Sequence, residues 1–289
     1  MVARARSASL RKEPAWGVYA PEGSPAKIRK RMTIERLYKY RPLNCHTKAI
    51  FSEGELRFST PVQLNDPFDC EPIFATEVDE EGFRTYVRTN LQLLKPNIDS
   101  STLDAKVEKF VRGEYPPTPE RLQRFKQDYV HRVRKLGIFS TSKRWESILM
   151  WSHYADRHRG ICLELNPEVL PSHISVHRVH YLDERPVVNL FTDSQSANVR
   201  TACTKSRHWH YEHEWRLVLE SNENTPEFPC NVDLPSGFIT GVIFGACMPE
   251  LDREKTLGWT ELLSPVPQRY QAELDDRRYR ITKYPLPQV

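Results

Sequence analysis

The sequence predicts an α+β fold, from three observations. Short segments that read as strands recur along the chain, at 55–59, 138–142, 161–165, 214–220 and 238–245, with 55–59 and 214–220 alternating at period two. Helix-period segments lie between them, without the regular strand–helix–strand units of a doubly wound sheet. With 39% apolar and 10% aromatic residues, 289 residues can bury one large core. No run approaches the roughly 18 apolar residues of a membrane helix, so no membrane partner is expected. The N-terminus lacks an apolar stretch of signal-peptide length, and the six cysteines form no C-x-x-C. Both features point to reduced thiols in a cytoplasmic protein.

Residues 1–31 carry eight bases against two acids, with Pro14, Pro21 and Pro25 among them. They read as a disordered basic arm suited to weak contact with nucleic-acid phosphate. A single domain over 32–289 then opens with a strand at Leu37, Tyr38 and Tyr40, entering a loop at Pro42. Helical turns follow at 47–53, stopped by Gly54, and a strand at 55–59. Asn65-Asp66-Pro67-Phe68-Asp69 is either an Asx-Pro turn with Phe68 plugging the core, or a rigid loop presenting an aspartate to a cleft. Residues 79–136 repeat apolar groups at helical spacing (Phe83, Val87, Leu91; Leu103, Val107; Leu122, Phe125, Tyr129) and read as a helical insertion. Further on, the pattern predicts strands at 138–142, 161–165, 176–181, 214–220, 238–245 and 279–284. Helices are expected at 147–158, 187–204 and 249–263.

The densest polar cluster is His208-Trp209-His210-Tyr211-Glu212-His213-Glu214-Trp215-Arg216. As a strand it would align His208, His210, Glu212 and Glu214 on one face. His208, His210 and Glu214 then have the spacing of a cupin-like metal site. A nuclease site drawing on Asp66, Glu164, Glu212 and Lys205, or a non-enzymatic interaction surface, are further alternatives. In the third arrangement Glu212, Glu214 and Arg216 share a face, while Trp215, Leu217 and Leu219 supply the core. Two close carboxylates raise one another's pKa and can stabilise positive charge developing on a ribose carbon.

Glu212-x-Glu214 before a strand resembles the E-x-E signature of the NAD-dependent ADP-ribosyltransferase superfamily. Tyr38-x-Tyr40-Arg41 and Phe139-Ser140-Thr141-Ser142 match that superfamily's first-strand and Ser-Thr-Ser elements in the right chain order. The wider pattern resembles the bacterial DUF2971 family over about 36–285. It is carried by Leu37-Tyr38-Lys39-Tyr40-Arg41, Phe58-Ser59-Thr60-Pro61, Met150-Trp151-Ser152-His153-Tyr154-Ala155 and Tyr211-Glu212-x-Glu214-x-Arg216. The resemblance implies a split mixed or antiparallel sheet with flanking helices, and NAD as substrate of a transferase or glycohydrolase. By the same analogy it suggests a toxin or anti-phage effector. It implies that Glu214 holds the ribose and Glu212 orients the acceptor. Arg41 would clamp the pyrophosphate, Ser140, Thr141 and Ser142 would support the ribose, and Tyr38, Tyr40 or Trp151 would stack on nicotinamide. Asn65 and Asp66 are added as cleft residues.

Overall fold

The computed structural model describes residues 34–75, 79–193, 197–220 and 229–287. The expected basic arm at 1–31 lies outside them. The first half runs β1 (Leu37–Arg41), α1 (Cys45–Ser52), β2 (Glu55–Phe58), β3 (Ile73–Phe74), α2 (Glu80–Leu94), α3 (Ser100–Glu114), α4 (Pro119–Arg134) and β4 (Leu136–Ser142). Next come α5 (Ile148–Tyr154), β5 (Ile161–Leu165), β6 (Ile174–Arg178), β7 (His180–Leu182), β8 (Val187–Val188), α6 (Ala197–Ala202), β9 (Thr204–Ser206) and β10 (Glu214–Glu220). The chain ends with β11 (Cys230–Asp233), β12 (Ile239–Phe244), α7 (Glu250–Thr260), β13 (Gln268–Leu274) and β14 (Ile281–Pro285). The fold is mixed α+β, as the sequence predicts.

Eight strands form the main sheet in the order β14-β13-β12-β5-β1-β4-β10-β6. β12 and β13 pair in parallel, and the other neighbours are antiparallel. The junction between β1 and β4 differs from the rest. β1 is paired with β5 along its whole length, and β4 with β10 along its whole length. β1 and β4 meet only at Tyr38 and Ser142, so the sheet splits beyond that pair. Unpaired main-chain groups are costly when buried, and the split satisfies them by other means. Ser59 and Ile138 exchange two backbone hydrogen bonds of 2.9 and 2.7 Å. The Lys39 ammonium donates to the Ser140 carbonyl at 2.6 Å.

Alternation along β10 divides its side chains as the sequence predicts. Leu217 and Leu219 join Leu37, Phe139, Leu163 and Phe244 in one core layer, with Trp215 packed against it. Arg216 and Val218 face the other way, and Val218 packs with Tyr129, Val133 and Ala202. Trp151 of α5 seals a third cluster with Tyr40, Cys162 and Ile243. The insertion forms three helices, each N-capped by its own side chain: Asp79, Asp99 and Thr118 accept from backbone N–H groups of the first turn. Their apolar stripes build a separate core of Phe83, Val87, Leu103, Val107 and Val111, with Phe191 inserted from the body.

The helix expected over 187–204 is not formed as such. β8, α6 and β9 occupy parts of that span, and 194–196 lie outside the described residues. The Asn189 carboxamide accepts from the N–H of Phe191 and Thr192, and the Asp193 carboxylate accepts from Asn189 N–H. These local bonds compete with helical ones. Residues 207–212 are a 3-10 turn rather than a strand, ended by His213 in the left-handed region at φ 45°. Phe68 is 64% exposed and plugs no core.

Candidate active site

A cavity of about 270 Å³ occupies the split between β1 and β4. Because the strands diverge there, side chains from both sheet faces reach it. Arg41 arrives from β1, Ser140, Thr141 and Ser142 from β4, and Glu212 and Glu214 from the mouth of β10. Tyr38, Tyr40 and Asn65 also line it. Two sequence candidates are not among its lining residues. Trp151 is fully buried beneath the sheet, its indole donating to the Trp145 carbonyl at 2.7 Å, so it has no ring face open to a ligand. Asp66 is consumed by its own turn, accepting from Phe68 N–H at 2.9 Å and from the Trp209 indole at 2.6 Å.

One wall of the cavity is an ionic chain. Arg216 is completely buried and grips Asp69 through both terminal nitrogens, at 2.9 and 2.6 Å. It also donates to Glu214 through Nε at 2.8 Å and Nη2 at 3.0 Å. Lys205 bridges Glu214 at 3.1 Å to Glu212, and the Tyr154 hydroxyl donates to Glu212 at 2.5 Å. Three buried carboxylates thus face two buried cations, leaving one surplus negative charge.

The two glutamates differ in what they have left to offer. A carboxylate has about four acceptor positions. Glu214 fills them with two Arg216 bonds, Lys205 and the Ser140 hydroxyl. Burial alone would push its carboxyl up; Arg216, then Lys205 and Ser140, reverse that and hold it down at about 2. Glu212 accepts from Lys205 and Tyr154. Burial pushes its carboxyl up, Lys205 opposes, and the charge of Glu214 adds to the rise. Glu212 is therefore the member of the pair with lone pairs to spare and a proton affinity that can change. The serines serve the same mouth: the Ser142 hydroxyl donates to the Glu212 carbonyl at 2.6 Å. The Thr141 hydroxyl is committed to the Trp215 carbonyl at 2.8 Å.

The opposite wall is cationic. Arg41, Arg57 and Lys39 line it, and none has a carboxylate partner among the described residues. The Arg41 Nε is buried with no hydrogen-bond partner. Burial, then the charge of Arg57, lowers the Arg41 pKa. Lys39 is lowered to about 7 by burial first and Arg41 second, while its ammonium sits 4.7 Å above the Phe139 ring.

Sequence reasoning missed Lys39, Arg57 and Tyr154 as site residues. Lys39 did leave a signal: it stands between Leu37 and Arg41 at a register that alternation assigns to the core face. Arg57 and Tyr154 left none, because only the tertiary path of β2 and α5 brings them to the split.

His208, His210 and Glu214 do not assemble as a metal site. The 3-10 turn breaks the period-two alignment that would bring them together. His208 pairs with the Ser206 hydroxyl at 2.9 Å, and the Glu214 carboxylate is held by Arg216 and Lys205. Among the described residues no group of three His, Cys, Asp or Glu side chains could hold a metal ion. Among the same residues no helix is long and apolar enough to cross a membrane.

Comparison with curated proteins and with solved structures finds no match. Residues 150–217, from α5 through the Glu212 and Glu214 mouth into β10, match the family DUF2971, described as a protein of unknown function.

Proposed function

We infer that the cavity binds NAD and cleaves its bond between nicotinamide and ribose, passing ADP-ribose to water or to an acceptor. The observation that carries this reading is the polarity of the cavity. Unpaired guanidinium groups of Arg41 and Arg57 stand on one side, and a buried ionic chain with surplus negative charge stands on the other. NAD has the complementary distribution. Its pyrophosphate is anionic and its pyridinium ring cationic, and departure of neutral nicotinamide moves positive charge onto the ribose. Donors and charges fixed before the reaction stabilise such a transition state without reorganisation. The motif strands β1, β4 and β10 are neighbours in the sheet, which supports the resemblance to ADP-ribosyltransferases.

In this reading Arg41 and Arg57 take the pyrophosphate, a planar-fork interaction suited to paired oxygens. Glu212, its rotamer fixed by Tyr154 and Lys205, accepts from the ribose hydroxyl and faces the developing cation. When water or an acceptor hydroxyl attacks, its proton passes to Glu212, whose raised pKa suits a base. Glu214 holds Lys205 and Arg216 in place and contributes its charge to the field. Tyr38 and Tyr154 are the partly exposed aromatic rings beside the ring-binding end.

The test is incubation with NAD and detection of free nicotinamide. Wild type is expected to release it, with Glu212→Gln slowed at least about 100-fold, the scale of a lost acid–base group. Nicotinamide release that survives this substitution undiminished would remove Glu212 from the mechanism.

A further inference from the structure

A second cavity, of about 170 Å³, borders Glu214 where β10 begins. Lys143, Arg178, Tyr181, His210 and His213 wall it, drawn from the segment after β4, the end of β6, β7 and the 3-10 turn. The His210 and His213 rings stand 5.1 Å apart, and His210 lies edge-on to Tyr181 at 5.2 Å. Neither imidazole has a hydrogen-bond partner among the described residues, and Arg178 has no carboxylate partner there. The neighbouring acids are already engaged. Glu214 is held by Arg216 and Lys205, Glu146 faces Arg144 at 3.6 Å, and Asp183 pairs with Arg207 at 2.9 Å. Such a wall offers N–H donors and positive charge with no free carboxylate to oppose an anion. Burial first, then the like charges of Arg144 and His210, depress the His213 pKa, with Glu146 opposing and Arg178 adding to the fall.

We propose that this cavity is a second ligand site, recognising the phosphate of a nucleoside monophosphate through Arg178, Lys143, His210 and His213. Arg178 and Lys143 supply charge, and the two imidazoles supply directed hydrogen bonds to separate phosphate oxygens. Trp215, packed against the core layer, also lines this cavity. The site does not depend on what fills the first cavity.

The experiment is titration calorimetry of the full chain with AMP, inorganic phosphate and adenosine. Wild type, Arg178→Gln and His210→Gln are compared with Arg57→Gln, which alters only the first cavity. Thermal melting of each variant reports folding, and Arg178 and His210 are both exposed, on different elements. AMP and phosphate are expected to bind and adenosine is not. Arg178→Gln and His210→Gln should each weaken AMP by roughly tenfold, the scale of a lost charge-assisted bond. AMP binding should persist in Arg57→Gln, where one phosphate donor of the first cavity is removed, and Arg178→Lys should retain part of it. No binding at millimolar AMP, equal binding of adenosine, or loss in Arg57→Gln alone would each overturn the site. Failure here leaves NAD cleavage at the first cavity untouched, and loss of NAD cleavage leaves AMP binding at Arg178 intact.

Discussion

Two glutamates two residues apart have been given different work by their neighbours. Glu214 receives four donors and stays ionised, whereas Glu212 keeps open acceptor positions and a raised proton affinity. Their substitutions should therefore fail differently. Glu214→Gln leaves Arg216 and Lys205 buried without full compensation, which costs about 3 kcal/mol or more. Urea unfolding should show that loss for Glu214→Gln and a much smaller one for Glu212→Gln, while NAD cleavage falls in both. Lys39 makes a second residue-scale prediction. It loses its proton near pH 7 when folded and near 10.5 when unfolded. Between those values the unfolded chain binds more protons, so this group adds stability as pH rises. The stability difference between wild type and Lys39→Met should accordingly move in favour of wild type from pH 6 to pH 8. A difference that stays flat over that range would place the Lys39 titration elsewhere. The chemistry of this site was partly legible in the sequence. Arg41, Ser140, Glu212 and Glu214 announced themselves by motif, while the inequality of the two glutamates depends on donors from Lys205 and Arg216 that only the fold aims.

At the scale of elements, the split between β1 and β4 is what makes a cavity inside a sheet. One residue pair holds the strands together, and Lys39 spans the gap where a ladder bond would have been. The end of β1 is positioned by the turn that leads into β5. A Cβ on Gly160 would come within 2.2 Å of the Arg41 carbonyl oxygen. Gly160→Ala should therefore displace the strand end that carries Arg41. The expected result is a loss of about 1–3 kcal/mol in unfolding experiments, the scale of an overpacked core, together with weaker binding of any anion at Arg41. Unchanged stability would mean that the turn yields without moving β1. Period-two alternation disclosed β2, whose burial alternates, while β4, β5, β10 and β12 were legible as short, mostly apolar runs buried on both faces. It missed β13, whose Gln268, Gln271 and Glu273 dilute the pattern, and it misjudged 187–204, where Asn189 and Asp193 divert the backbone into turns. Strand order was not legible, since pairing across more than 100 residues leaves no mark on local spacing, and a split sheet was expected only from the family resemblance.

For the molecule as a whole, the formal net charge of +4 says little, because charges are sorted by position rather than by total. The insertion of α2, α3 and α4 has its own core, joined to the body by Phe191 and by Tyr129 and Val133 of α4, which pack against Val218 and Ala202, leaving the split sheet as the frame of the site. That frame sets cations against a negatively charged ionic chain across a small hollow, and the central claim is that this polarity is matched to NAD. The most direct measurement is calorimetric titration with an uncleavable NAD analogue whose ribose ring oxygen is replaced by methylene. Wild type should bind it, and both Arg57→Gln and Glu212→Gln should weaken it by roughly tenfold, since each removes one pole of the cavity. No binding to wild type, or an affinity indifferent to both substitutions, would contradict the account.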